Sequence, residues 1–322
     1  MNMLKDEVLK ILISNKEEFI SGEKISDTLG VSRTSVWKAV SALKKQGYLI
    51  TSVNNRGYSL TRPSDVLNEV ELRELLSQSD INCYYKEKVD STNLWAKYSA
   101  EDGEQKNSLY IADMQTKGRG RRGRSWVSDK GVGIWMSLLL RPGISPEIAP
   151  MITIIAALCV AKAIEKREDL KVYIKWPNDL IIEGRKLCGI LTEMSVDMEG
   201  LSYLVCGIGI NANANNFPKE LENIATSIYM HTGKMCIRKY LIKEIIENFF
   251  EYYNVFLIEK DLQFIKDEYE SKLIHKDKYI NIISKDSVRE VFSKGIDEMG
   301  FLVVLDEGVE SRISSGEISL RM

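Results

Sequence analysis

Residues 118–126 read GRGRRGRSW. Four guanidiniums (Arg119, Arg121, Arg122, Arg124) alternate with three glycines (Gly118, Gly120, Gly123). Glycine lets a backbone turn tightly and approach a bound group closely. Arginine binds carboxylate and phosphate through forked, charge-assisted hydrogen bonds. Together they predict a mobile loop that closes over an anion. Trp126 adds a flat face on which a base can stack, worth about 1–3 kcal/mol. Read alone, the stretch also fits a solvated basic loop or an RG-rich nucleic-acid patch. Its neighbours in the chain narrow the choice.

Upstream, Leu109–Met114 reads as a strand that delivers Gln115 and Thr116 to the lip of the loop. Before it, Cys83–Val89 reads as a strand, and Asp90-Ser91-Thr92-Asn93 leads into a helix through about Ala100. Ser, Thr and Asn at that place are helix caps by default. They are equally small donors and acceptors for a polar ring lying over the helix end. Downstream, Gly131–Leu140 is a mostly apolar strand. Ser145-Pro146-Glu147 has the look of a helix start, with a cap, Pro at the first position and an acid in the first turn. A buried helix is expected from there to about Glu168.

Lys171–Lys175 is then a strand, broken by Pro177 in KWPNDL, residues 175–180. Lys175, Asn178 and Asp179 are presented together, for phosphate, metal or ribose, or as a plain surface turn. In RKLCGILTE, residues 185–193, Lys186 lies beside Leu187, Ile190 and Leu191, and Gly189 permits close approach inside a strand. Lys186 is either a snorkelling surface side chain or a cation at the mouth of an apolar pocket. Leu204–Ile210 is a buried strand ending in Asn211-Ala212-Asn213; its GxG is no dinucleotide fingerprint. Ile237–Ile258 is a long amphipathic helix whose aromatics belong to a core.

The front of the chain has a different character. Residues 1–62 hold ten Lys/Arg against six Asp/Glu, leaving 34 against 40 for the remainder, within an overall net charge of −2. Apolar side chains at helical spacing, a helix over 22–29, the tight turn Gly30-Val31 and a third helix from Ser32 are followed by two strands around Asn54–Gly57. That order is a winged helix-turn-helix. Its third helix exposes Arg33, Thr34, Ser35, Trp37 and Lys38 near the N-terminus, where such helices meet base edges, and Arg56 sits at the wing tip. Arg62-Pro63-Ser64-Asp65 reads as a linker and Val66–Leu76 as a connecting helix. At the other end, short alternating runs at 279–283, 288–293, 301–305 and 309–313 predict a small SH3-like β-barrel.

Bulk properties exclude several classes. With 44% apolar and 28% charged residues the 322-residue chain is an ordinary globular one of two or three domains. Lys5, Asp6 and Glu7 interrupt any early apolar run, so no signal peptide is expected. The apolar uncharged stretch 148–161 is too short to span a bilayer. Five scattered cysteines without a CxxC pair suit reduced thiols in the cytoplasm. Two histidines, His231 and His275, give little support to a Ser-His-Asp triad or a His-rich metal site.

The loop GRGRRGRSW, the turn KWPNDL, the strand RKLCGIL, the segment GIGINAN and the closing GEISLR, in this order, resemble biotin–protein ligases. With the winged helix in front, the chain is similar to the bifunctional branch that doubles as repressor of biotin-synthesis genes. The resemblance spans essentially the whole chain. It implies an α+β multidomain fold: a winged helix-turn-helix at 1–62, a mixed α/β ligase domain of class II aminoacyl-tRNA synthetase kind at 63–274, and the SH3-like domain at 275–322. It implies that biotin and ATP give biotinyl-5′-AMP and pyrophosphate, and that the acyl group passes to a lysine of the biotin carboxyl carrier protein. Ser91, Thr92, Asn93 and Gln115 would meet the ureido end of biotin. Arg119, Gly120 and Arg121 would fold over carboxylate and α-phosphate, with Lys186 at the reacting atoms and Gly189 against biotin. Trp126 would flank adenine, and Asn178, Asp179 and Asn211 would line the nucleotide region. Mg²⁺ would enter with ATP, Asp179 being the candidate ligand. The adenylate would also act as corepressor, promoting a homodimer on operator DNA. Cys188 stands where a small apolar residue is usual, leaving a thiol near the pocket.

Overall fold

The computed structural model describes residues 2–15, 18–60, 65–283, 288–314 and 316–320. The expected linker therefore lies outside the described residues except for Asp65, and so does Arg321 of the closing motif. The chain's contacts fall into two compact units, residues 1–77 with 237–240, and residues 78–236 with 241–322.

The first unit packs α1 (Asn2–Ser14), α2 (Gly22–Leu29) and α3 (Arg33–Lys45) around Val8, Leu9, Leu12, Ile25, Val36, Val40 and Leu43. Local chemistry sets the helix ends. The Ser21 hydroxyl accepts from Lys24 N at 3.0 Å and the Ser32 hydroxyl from Ser35 N at 3.2 Å. Each such cap is worth about 1 kcal/mol. Gly30, at φ 63°, reverses the chain between α2 and α3. The hairpin β1 (Ile50–Val53) and β2 (Gly57–Leu60) follows. Ile20 bridges to Tyr58 beside it, and a Cβ on Gly57 would stand 2.1 Å from the Ile20 carbonyl oxygen. Only glycine fits there. The connecting helix, α4 (Glu69–Leu75), is shorter than the apolar pattern implies, because Asn68 caps it by accepting from Val70 N. Two buried ion pairs complete this unit: Asp65 with Arg238, and Glu71 with Lys239, both at 2.7 Å.

The second unit is built on a seven-stranded mixed sheet of order β3-β4-β5-β9-β8-β7-β6. Its strands are β3 (Asn82–Lys86), β4 (Ser108–Ala112), β5 (Gly133–Leu140), β6 (Tyr173–Lys175), β7 (Asp179–Ile182), β8 (Arg185–Asp197) and β9 (Gly200–Asn211). Only β3 and β4 run parallel, joined by the crossover helix α5 (Thr92–Glu101). Side chains alternate across the sheet. One face carries Thr192, whose hydroxyl lies 2.7 Å from that of Thr153 on the buried helix α6 (Met151–Glu168). The other carries Gly207, which a Cβ would drive to 2.1 Å from Asn93 Oδ1 on α5. The two helices therefore cover opposite faces.

Two local expectations change. Residues 145–147 do not start α6: a run of turns over 146–150 follows Ser145, and the helix begins at Met151 after Pro150. Pro has no N–H to satisfy, so Pro150 suits a helix entrance as well as Pro146 does, and burial of Met151, Ile152 and Ile154 decides between them. At the other end of the chain, α7 (Ile228–Thr232), α8 (Arg238–Glu259) and α9 (Lys266–Lys272) lead to a five-stranded antiparallel sheet of order β13-β12-β11-β10-β14. Its strands are β10 (Lys278–Ile283), β11 (Val288–Ile296), β12 (Leu302–Asp306), β13 (Val309–Ile313) and β14 (Glu317–Leu320). The last strand lies in the closing GEISL and adds to the four expected runs.

Candidate binding and catalytic site

A cavity of about 360 Å³ opens on the α5 face of the large sheet. Its floor exists because Gly189, Gly207 and Gly209 share that face, with Gly189 opposite Gly209 and Leu191 opposite Gly207. Side chains there would fill the trough. Instead the Trp126 indole lies on it: a Cβ would come within 2.9 Å of the ring at Gly189 and 2.7 Å at Gly209. Trp126 Nε1 is buried and, among the described residues, has no hydrogen-bond partner. Phe217, Leu221 and Ile224 supply apolar walls.

One end is a web of hydroxyls and amides. Ser91 occupies the cap position of α5 but makes no side-chain cap bond. Gln115 takes that role, its Oε1 accepting from Thr92 N at 2.8 Å. Ser91 is thereby released from the default capping duty and lines the cavity. Gln115 is held in turn by its Nε2 donating to Ser128 Oγ at 2.8 Å. The Ser137 hydroxyl lies 2.7 Å from Thr92 Oγ1 and 2.6 Å from Asn93 Oδ1. Asn93 Nδ2 donates to Glu193 Oε2 at 2.7 Å and to the Leu191 carbonyl at 3.2 Å. Burial would raise the Glu193 carboxyl, but the Lys97 and Asn93 hydrogen bonds and the Lys97 charge at 2.6 Å hold it below the usual carboxylate range.

The other end is cationic. Arg119, Arg121, Arg122, Arg124, Lys175 and Lys186 line it against the single carboxylate of Asp179 among the described lining residues. The Arg/Gly stretch is a small closed hairpin: Gly120 N donates to Arg124 O and Trp126 N to Gly118 O, at 2.7 and 2.9 Å. Its tip places Arg122 at φ 54°, a left-handed conformation that costs a non-glycine residue about 1 kcal/mol or more. Arg121 reaches across to donate to Asn178 Oδ1 at 2.6 Å. Lys186 comes to the cavity through a register shift between β7 and β8, where Leu180 faces Cys188 but Ile181 faces Lys186. Such bulges re-aim side chains. Its Nζ stands 2.7 Å from Asp179 Oδ1 and 5.3 Å over the Trp126 ring. Asn178 donates to Asp179 and to the Ile190 carbonyl, and Asn211 to the Thr226 carbonyl. The turn carrying Asn178 is pinned from the C-terminal region: Trp176 N donates to His275 Nε2 and Trp176 Nε1 to the Gly300 carbonyl.

Every residue expected around the small ligands (Ser91, Thr92, Asn93, Gln115, Arg119, Gly120, Arg121, Trp126, Asn178, Asp179, Lys186, Gly189 and Asn211) lines this one cavity. Cys188 does not. It is fully buried on the opposite face, and burial pushes its thiol well above the usual range. Glu193, Lys97, Ser128, Ser137 and His275 escape sequence reading because each acts through another group that only the fold brings to it. Among the described residues no group of three His, Cys, Asp or Glu is placed to hold a metal ion, and no helix is long and apolar enough to cross a membrane. On α3 of the first unit, Arg33, Thr34, Trp37 and Lys38 are exposed, Trp37 to 58%. Ser35 is half-buried beside its cap, and the Arg56 guanidinium lies 4.4 Å over the Phe19 ring.

Comparison with known proteins places this architecture. A model of the biotin/lipoate A/B protein ligase family matches residues 85–211, one of an HTH domain residues 5–59, and one of the biotin protein ligase C-terminal domain residues 278–321. The bifunctional ligase/repressor BirA of Bacillus subtilis (strain 168) is 40% identical over 250 residues, 76% of each chain. That of Escherichia coli (strain K12) is 31% identical over 313 residues, 94% of each. The structure of the biotin protein ligase from Aquifex aeolicus in complex with biotin and ATP superposes with a TM-score of 0.65 at 32% identity, over 74% of this chain and 98% of that one.

Proposed function

This chain belongs to the biotin/lipoate A/B protein ligase family, within its bifunctional ligase/repressor branch, and on that premise we propose that it is an ATP-dependent biotin–protein ligase that also represses transcription. The carboxylate of biotin attacks the α-phosphorus of ATP. The bond to the β-phosphate oxygen breaks, and pyrophosphate leaves. The amine of one carrier-protein lysine then attacks the acyl carbon of biotinyl-5′-AMP, and AMP departs. The first step needs no general base, because its nucleophile is already ionised. It needs cations, because two anions must meet. Arg119, Arg121 and Lys186 supply them at one end of the cavity, where each well-placed donor is worth about 3 kcal/mol of barrier.

The observation that carries the reading is the cavity's polarity: clustered hydroxyls and amides at one end, cations at the other, and an indole across a glycine floor between them. Ser91, Thr92, Asn93 and Gln115 suit a ureido ring, which both donates and accepts hydrogen bonds. The dithiolane of lipoate does neither well. Trp126 is available to adenine, and Asn178, Asp179 and Asn211 to the rest of the nucleotide. Asp179 is already paired with Lys186, so this donor set suits Mg²⁺ carried in on the ATP phosphates, with at most one protein carboxylate. There the ion would neutralise phosphate charge.

In this reading residues 1–62 bind operator DNA through Arg33, Thr34, Ser35, Trp37, Lys38 and Arg56. Residues 63–274 carry the chemistry on a class II synthetase-like sheet, and 275–322 form an SH3-like module. Biotinyl-5′-AMP is the corepressor that promotes a homodimer on the operator, in the cytoplasm where ATP, carrier protein and DNA meet. The test is pyrophosphate release by the purified chain with ATP, Mg²⁺ and either biotin or lipoate. Biotin alone should support it, and Lys186→Ala should slow it about 100-fold or more. No biotin-dependent release sinks the proposal.

A further inference from the structure

Outside the cavity lining, one charged pair is wired into its polar end. Lys97 on α5 and Glu193 on β8 form an ion pair at 2.6 Å, and the second carboxylate oxygen accepts from Asn93 Nδ2 at 2.7 Å. Neither Lys97 nor Glu193 lines the cavity, whereas Asn93 and Thr92 do.

An ionised carboxylate only accepts. Asn93 must therefore turn its NH₂ toward Glu193 and the Leu191 carbonyl, and its Oδ1 toward Ser137. The Ser137 hydroxyl has one proton, and Asn93 Oδ1 can only accept it. Thr92 Oγ1, 2.7 Å from Ser137 Oγ, then receives no proton from Ser137. Thr92 directs its own proton to Gln115 Oε1 at 3.1 Å. Its oxygen keeps a lone pair for an N–H donor from the cavity that Thr92 lines. With the amide reversed, Asn93 would donate to Ser137, Ser137 to Thr92, and Thr92 to Gln115. The Thr92 oxygen would then already be accepting a proton when ligand arrives, and Asn93 Oδ1 would face the carboxylate.

We propose that Glu193 is a positioning residue for ligand recognition: its carboxylate, held by Lys97, sets the direction of the Asn93–Ser137–Thr92 hydrogen bonds so that Thr92 presents an acceptor to a ureido N–H. The inference rests on the function proposed above. It extends that function to a residue that never touches ligand. Because the hydrogen bond to the ring is made in ground and transition states alike, its loss raises KM without lowering kcat.

The experiment is steady-state adenylation at pH 8 by the full-length chain with Glu193→Gln. The neutral amide no longer dictates the orientation of Asn93. KM for biotin is expected to rise about 10-fold, the equivalent of about 1.4 kcal/mol and of one hydrogen bond. The kcat and the KM for ATP should stay within about twofold. In a Ser137→Ala background, which cuts the relay, the same substitution should change KM for biotin by less than about twofold, since coupling between linked residues is non-additive. Should Glu193→Gln fold poorly, Lys97→Met serves: it leaves the carboxylate in place, so its effect on KM should be several-fold smaller than 10-fold. An undiminished penalty in the Ser137→Ala background, a parallel loss in kcat and KM for ATP, or a 10-fold effect of Lys97→Met would each overturn the relay in favour of a packing role. An unchanged KM in Glu193→Gln would overturn it outright. Wild-type chain without biotin-dependent pyrophosphate release would instead remove the proposed function itself.

Discussion

At the scale of single residues, the site depends as much on missing side chains as on present ones. Gly207 is the sharpest case, since any Cβ there meets Asn93 Oδ1 at 2.1 Å. Gly207→Ala is expected to displace Asn93, raising KM for biotin more than 10-fold and costing about 1–3 kcal/mol of stability, as overpacking does. Chemical denaturation and adenylation kinetics on the same variant check both numbers, and a normal KM would show that Asn93 is not where recognition happens. The Arg/Gly loop, KWPND and RKLCG declare their chemistry in the sequence because charge and glycine are dense there. In the sequence, Ser91 fits a cap and a ligand contact equally. What separates the two is Gln115, 24 residues downstream, whose side chain satisfies the helix N-terminus instead.

At the scale of elements, a buried histidine ties the KWPND turn to the segment that enters the C-terminal sheet. Trp176 N–H donates to His275 Nε2, so the proton sits on Nδ1, which donates to Ser293 Oγ at 2.9 Å. Burial, aided by the Lys175 and Lys278 charges, lowers the His275 pKa from 6.5 to about 4. The unfolded chain then binds this proton more readily than the folded one. Stability from His275 is complete above pH 6.5 and is lost as the pH falls toward 4, by up to about 3 kcal/mol. His275→Gln keeps an acceptor for Trp176 without titrating. Unfolding free energies of the two proteins across pH 6.5 to 4 should converge by about that amount, and parallel curves would refute the assignment. Periodicity reveals most of the elements themselves. It misplaces the start of α6, because Pro146 and Pro150 offer the same local signal and only burial ranks them. It also misses β14, a strand whose existence depends on pairing with β10 at the far side of the small sheet.

At the scale of the whole molecule, charge is divided unevenly: residues 1–62 are net positive inside a chain of net charge −2. Operator binding is therefore expected to depend on the front module and to weaken steeply with salt. Arg33→Ala and Lys38→Ala should each lower the slope of log K against log salt by about 0.9 if each contacts one phosphate. Mobility-shift titrations with biotin and ATP present, over a series of salt concentrations, measure it. An unchanged slope in both variants would place the DNA contact elsewhere.

By itself the sequence determined the kinds of element, the division of charge along the chain and the chemical character of the loop and turns. These are local properties, set by the hydrophobic period, capping side chains and glycine or proline within a few residues. Only the tertiary structure decided that Gly189, Gly207 and Gly209 form one floor, that a register shift turns Lys186 into the cavity, and that Glu193 and Lys97 stand behind Asn93. Those relations join residues up to about a hundred positions apart. They follow from strand register and helix packing, which settle only when the whole sheet has closed over its core.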